Sequence, residues 1–273
     1  MIRKSLELDI SLIKIKSLSL LQRFHLIFQK YKVLLEILVG SKGAFGIKGV
    51  RMQLKDISGL GTTQSSIIDF YNDIVESCII DKKRPYIVDA GANIGQFCNA
   101  AKLFFPNAHL FSFEPDPVVY KQLVENTRTL RFVKTFNFGL GDRSQKLPFY
   151  VHDLSVMSSF KKYDDHFYGE KDVSYIRVEP LDKTLSTIES IDLLKIDVEG
   201  FELNVLKGAK NILKRTNYLL IEISLGRSQT TDTNLGLLKY ISELEPNSKI
   251  VKFGRPLGKI SNPTCQDLLI KLR

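Results

Sequence analysis

The chain has 273 residues, of which 44% are apolar and 25% charged, and it carries a net charge of +9. That length supports one domain, or one domain with an appendage, with ample chain for a full core. No apolar run approaches the roughly 18–20 residues that span a bilayer, and Glu7 and Asp9 interrupt the stretch where a signal peptide would need its apolar core. The three cysteines, Cys78, Cys98 and Cys265, are scattered without Cys-x-x-Cys spacing, which excludes a disulfide framework and a zinc site. A reducing, cytoplasmic setting is expected, and Cys98 reads as a small core residue. Residues 1–50 hold nine Lys/Arg against three Asp/Glu, so most of the positive charge is local to this arm. With no zinc-finger spacing and no aromatic RNA-binding motif, nucleic acid is not an expected partner.

In chain order, residues 18–39 place Leu20, Leu21, Phe24, Ile27, Phe28, Tyr31, Leu34, Leu35 and Leu38 at helical spacing. This basic amphipathic helix would pack on the rest of the chain, seat a homodimer, or make peripheral membrane contact. Residues 41–61 are Gly-rich and weakly patterned. A second helix is expected near Thr62, with Ile67, Tyr71, Ile74, Val75 and Cys78 on its buried face. Residues 1–84 thus read as a helical amino-terminal extension, and 85–273 as the main domain.

From Tyr86 the pattern alternates strand and helix, as in a mostly parallel sheet with helices on both faces. Tyr86-Ile87-Val88 runs into Asp89-Ala90-Gly91-Ala92-Asn93-Ile94-Gly95 and then into a helix, the first β-turn-α of a nucleotide-type fold. The spacing Gly91-x-x-x-Gly95 is not the Gly-x-Gly-x-x-Gly of dinucleotide enzymes, and Asp89 would oppose a dinucleotide's phosphates. Further strands are expected at 109–113, 132–138, 191–196, 218–223, 249–253 and 266–272. Residues 143–180 interrupt the rhythm with two short strands around a polar loop.

Strand tips of such a sheet converge on one edge. Here they carry Asp89, Glu114, Asp142, Asp197 with Glu199, and Glu222. So many acids at one crevice suit a ligand with hydroxyls and positive charge better than packing, because unpaired buried carboxylates are costly. Glu114 follows Asp89 by 25 residues, near the offset at which an acid takes ribose hydroxyls.

Three motifs carry a resemblance. Val88-Asp89-Ala90-Gly91-Ala92-Asn93-Ile94-Gly95, Phe113-Glu114-Pro115, and Leu194-Lys195-Ile196-Asp197-Val198-Glu199-Gly200-Phe201-Glu202 with Val205-Leu206-Lys207-Gly208-Ala209 occur in order across residues 85–225. They resemble the FkbM family of methyltransferases. The resemblance implies a class I, Rossmann-like fold with a seven-stranded sheet. It further implies S-adenosyl-L-methionine as cofactor and a hydroxyl on a sugar, glycan or secondary metabolite as methyl acceptor. On that reading Asp89, Gly91, Asn93, Gly95 and Glu114 hold the methionine and ribose, while Leu140 and Asp142 border the adenine. A proton acceptor is expected among Asp197, Glu199 and Glu222. Against this stands a reading in which Glu199 caps the following helix and Asp197 braces the glycine turn. A carboxylate metal site lacks a third ligand nearby in sequence, and no metal is expected. Where the family pattern has Glu-Val-His this chain has Glu222-Ile223-Ser224, which leaves open a catalytically weak cofactor-binding module as the alternative function. The pair Ser158-Ser159 also matches the family, and no chemistry is assigned to it.

Overall fold

Two-residue alternation along the strands decides the layering. In the computed structural model, which describes residues 2–47, 49–77, 80–152, 160, 170–224, 230–259 and 262–273, the central sheet has eight strands. Strands β3 (Tyr86–Ala90), β4 (His109–Phe113), β5 (Val133–Phe136), β9 (Ile191–Ile196) and β10 (Thr216–Ser224) run parallel in the order β10-β9-β3-β4-β5. Antiparallel β13 (Asn262–Lys271) joins β10, and β11 (Lys249–Phe253) and the short β12 (Leu257–Lys259) pair with β13. Seven of these strands make the class I arrangement, and β12 is the addition.

Ile87, Leu193, Leu220 and Leu269 point to one face of the sheet, where α1 (Ile2–Ile13), α2 (Leu20–Leu38), α3 (Ile57–Phe70) and α4 (Gln96–Phe104) share one core with them. Val88, Leu194, Leu219 and Ile270 point to the other, against α6 (Leu181–Thr184), α7 (Glu202–Lys207), α8 (Lys210–Leu213) and α9 (Thr230–Leu244). The helix α5 (Pro117–Thr127) follows β4, started by Asp116, whose carboxylate accepts from Val118 and Val119 N–H. A second sheet, β6 (Gly139–Leu140), β7 (Gln145–His152) and β8 (Glu170–Glu179), holds the interruption after β5.

The amino-terminal extension is not separately cored. Leu12, Leu18, Leu26 and Val33 are fully buried in the same cluster as Ile87 and Leu193, so apolar packing continues across residue 84. Helix α2 starts at a capping box of Ser19 and Gln22. The Gly-rich stretch that follows forms a hairpin, β1 (Gly43–Ile47) and β2 (Val50–Leu54). Helix α3 begins earlier than its pattern suggests, because Asp56 caps it through Gly59 N–H, and it ends in a π-helical turn, Tyr71–Val75. After Phe201 the chain forms two short helices, and between them Gly208 approaches so closely that a Cβ there would lie 1.9 Å from the Gly141 carbonyl oxygen. Cys98 is buried as expected; Cys78 and Ser158-Ser159 lie outside the described residues. Among the described residues no helix is long and apolar enough to cross a membrane.

Helix α1, absent from the sequence reading, is joined to α2 by a buried ion pair. Lys30 Nζ donates to Asp9 Oδ1 at 2.7 Å and to the Ser5 carbonyl at 2.8 Å, and Tyr31 Oη donates to Asp9 Oδ2 at 2.7 Å. Removing one partner of such a pair leaves the other charge buried without compensation. Asp9→Ala is therefore expected to lower stability by about 3 kcal/mol in urea denaturation, whereas a loss below about 0.5 kcal/mol would show that the pair does not hold α1 in place.

Candidate active site

At the carboxyl ends of β3, β4, β9 and β10 opens a cavity of about 980 Å³, at the top of the roughly 300–1,000 Å³ common for ligand pockets. Its floor is the strand tips, and its far wall comes from α1, α2 and α3.

The turn after β3 shapes the near end. Gly91 has φ +83°, and a Cβ there would lie 1.8 Å from the Asp197 carbonyl oxygen, so only glycine lets the β3 and β9 tips close on each other. Asn93, at φ +48°, folds its side chain back so that Oδ1 accepts from Ile94 N–H, bracing the turn. Glu114 is held from both sides: Oε2 accepts from Asn93 N–H at 2.8 Å and Oε1 from Asp116 N–H at 2.9 Å. Burial raises its pKa to about 8 against these two hydrogen bonds. Each oxygen keeps lone-pair capacity for a ligand hydroxyl. Gly91, Asn93, Glu114 and Leu140 all line the cavity, with Phe138 beside Leu140.

Three residues expected at the cofactor do not line it. Gly95 starts α4 with φ +96°, its Cβ position 3.0 Å from Leu123. Asp142 is exposed, and its Oδ1 accepts from Gln145 Nε2. Asp89 is fully buried beneath the floor, where its carboxylate meets Lys195 Nζ at 3.4 Å. The pleat explains this: Asp89 shares a face with Ile87, toward the helices, and pairs in register with Lys195 on β9.

The same rule places a whole row of ionisable groups. Two residues beyond Ile87, Leu193 and Leu220, and two before Leu269 on the antiparallel strand, stand Asp89, Lys195, Glu222 and Asp267, and Glu222 lies directly opposite Asp267. The sequence reading missed Lys195 and Asp267. The available signal was an apolar and a charged residue two apart, on one face, in each strand. Lys195 Nζ also reaches Asp197 Oδ2 at 3.1 Å and donates to the Gly91 carbonyl at 3.2 Å. Burial alone would pull the ammonium's pKa down; Asp197, Asp89 and Asp267 more than reverse that, and it is held above its usual value.

Asp197, Glu199 and Glu222 each offer an oxygen within 4.8 Å of the others. Space thus supplies the third carboxylate that sequence proximity did not. Glu199 does not cap the following helix, whose first residue Glu202 instead ties down the turn before it, Oε1 accepting from Gly200 N–H at 2.8 Å and Val198 N–H at 3.3 Å. Glu199 itself adopts φ +53° and lines the cavity, and the backbone N–H of Asp197 donates to the Ala90 carbonyl at 3.1 Å, just before the glycine turn. Burial, then the charges of Asp197 and Glu199, push Glu222 to about 9; burial and Asp197 push Asp267 to about 7.

The arrangement has an acid able to take paired hydroxyls, an apolar strip, and a carboxylate cluster at a separate point of the rim. A family model described as the methyltransferase FkbM domain matches residues 89–245. This chain belongs to the FkbM methyltransferase-domain family. It is 35% identical to Methyltransferase sdnD of Sordaria araneosa over 45% of this chain and 60% of that protein. Identity is 28% to the 2-O-methyltransferase NoeI of Sinorhizobium fredii, over 54% and 66%. It is 29% to the hexuronic acid methyltransferase AglP of Haloferax volcanii, over 61% and 65%. The matches thus span 60–66% of the length of these curated relatives. A solved structure titled Methyltransferase FkbM, from Methylobacillus flagellatus KT, overlays 78% of this chain and 55% of its own with TM-score 0.49 at 20% identity.

Four raised carboxyls, Asp69 at about 6, Asp267 at about 7, Glu114 at about 8 and Glu222 at about 9, have a consequence for stability. Between about pH 4, where the unfolded chain releases these protons, and the folded values, the native state binds more protons. Their contribution is complete below about pH 4 and is lost as pH rises through 6 to 9. The ligand-free chain is expected to show a Tm that falls steadily over that window, with Glu222→Gln flattening its upper end. A Tm that climbs across the window would contradict the burial of these groups.

Proposed function

We propose that this chain is an S-adenosylmethionine-dependent O-methyltransferase acting on a hydroxyl of a sugar, glycan or secondary-metabolite acceptor. Family membership supports the reaction class, and two relatives are named for 2-O-methylation and hexuronic acid methylation. The observation that carries the cofactor assignment is Glu114, fixed by two backbone N–H groups at the rim of the glycine turn with acceptor capacity to spare.

The residues fit that cofactor by their chemistry. Glu114 would take the ribose hydroxyls, Leu140 and Phe138 the adenine face, and Gly91 and Asn93 the methionine portion. Asp89 acts at one remove, by holding Lys195. When bound, S-adenosylmethionine supplies an electrophilic methyl on a sulfonium. The chain's own task is to orient the acceptor hydroxyl and receive its proton. Of the three candidates, Asp197 already has Oδ2 engaged by Lys195, whereas Glu222 lies at the cavity with a pKa near the upper working range. We assign the proton to Glu222. The walls from α1, α2 and α3 border the part of the cavity left for the acceptor, which gives the extension a binding role. Contact of that extension with a membrane surface or a second copy belongs to the same proposal.

Above about pH 8, where Glu114 is ionised, Glu114→Ala should weaken S-adenosylmethionine binding by about 10- to 150-fold in calorimetry, the effect of losing a charge-assisted hydrogen bond worth about 1.5–3 kcal/mol. Unchanged affinity in a folded variant would remove Glu114 from the ribose. Turnover should rise about tenfold per pH unit until about pH 9. Glu222→Gln should abolish that slope and cost roughly 10²- to 10⁴-fold in rate, with cofactor affinity nearly unchanged. A variant that keeps the parent rate and slope would move the proton acceptor to Asp197 or Glu199.

A further inference from the structure

Helix α2 buries Leu26, Lys30 and Val33 and leaves its opposite side to solvent. On that side Leu21, Phe24, Phe28, Tyr31, Leu35 and Leu38 form a stripe spaced three and four apart, with Leu20 and Val39 at its ends. Most are well exposed: Leu21 by 84%, Phe28 by 68% and Leu35 by 65%. At about 100° per residue the eight fall within an arc of about 100°. An apolar face this long on a helix exposed along its whole length marks a contact surface.

The flanks decide between occupants. A strict three-four stripe also suits pairing with a second copy, but helix pairs place complementary charges beside the stripe. Here the positions adjoining it are His25, Ile27, Lys32 and Leu34, none of them acidic. Antiparallel pairing would set Lys32 against the same basic edge of its mate. The nearest acid, Glu36, is 3.7 Å from Lys32 on the same helix. Lys14 and Lys16, exposed between α1 and α2, and exposed Lys42 past the end of α2 add positive charge. The buried Lys30 is matched by Asp9 and plays no part. An apolar face whose edge and ends carry Lys14, Lys16, Lys32 and Lys42 against the one acid Glu36 is net positive and fits an anionic bilayer surface, with the helix lying in the plane of the headgroups.

We infer that α2 docks this protein on anionic lipid bilayers through its Leu21–Leu38 stripe. The stripe joins the cavity: Tyr31 belongs to both, and Leu34 and half-exposed Leu6 continue from it along the cavity wall. The docked chain therefore has its cavity bordered by the face that meets the lipid.

The test uses the full chain and sucrose-loaded vesicles of phosphatidylcholine, alone or mixed with phosphatidylglycerol. The chain should sediment with the mixed vesicles and about tenfold or more weakly with phosphatidylcholine alone, and salt should release it. Phe24→Glu/Phe28→Glu should abolish sedimentation, and Lys14→Glu/Lys16→Glu/Lys32→Glu should restrict it, while circular dichroism and S-adenosylmethionine affinity stay at parent values. Absence of binding to either vesicle would overturn the inference. So would binding that survives Phe24→Glu/Phe28→Glu. So would a dimer in sedimentation velocity that the same substitution dissociates, since a second copy would then own the face. Vesicle binding is measured without turnover, so a failed methylation assay leaves this result standing on its own.

Discussion

One buried ammonium holds the site in register. Lys195 stands in the middle of the sheet, and its charge is tolerable only because Asp89, Asp197 and the Gly91 carbonyl converge on it. Those partners come from two adjacent strands and the turn between sheet and helix. Satisfying Lys195 therefore fixes how far the β3 and β9 tips approach, and Gly91 is the residue that permits the approach. The buried acid at Asp89, which looks like a ligand-binding group in sequence, serves the lysine instead. The cavity floor inherits its shape from this balance of charges.

The amino-terminal extension completes the molecule in two senses. Its apolar residues finish the core on one face of the sheet, and its polar and apolar edges finish the cavity. A sheet alone would leave the row from Asp89 to Asp267 facing water. Covered by α3 and its π-helical turn, the row instead meets further acids, Asp69 paired with Arg255 at 3.1 Å and Asp73 with Lys252 at 3.6 Å. The low dielectric created by that cover is what raises so many carboxyls at once.

Much of this was legible in the chain. Strands β4 and β9 are found at their predicted bounds and β3 close to its own, because each is a short apolar run closed by a turn residue or a charge. Glu114, Gly91 and the Asp197-Val198-Glu199 tip were recognisable from motif and position. Helix α1 was not, because Glu7 and Asp9 read as interruptions of an apolar run when Leu8 and Leu12 were in fact its buried stripe. Lys195 escaped notice for a different reason. Its meaning depends on Asp89, 106 residues earlier, and only pairing in register brings the two together. Asp142 was overread, since a tip residue can turn outward as readily as inward.

The cross-strand pairing of Glu222 with Asp267 has one more consequence. Burial first, and then the charge of Asp197 beside both, raises these two opposed carboxyls, so the pair retains protons near neutrality. A ligand that brings positive charge into the cavity favours their ionised forms and drives those protons into solution. Occupancy of this site is thus coupled to the buffer, and the heat of binding contains the buffer's own enthalpy of protonation.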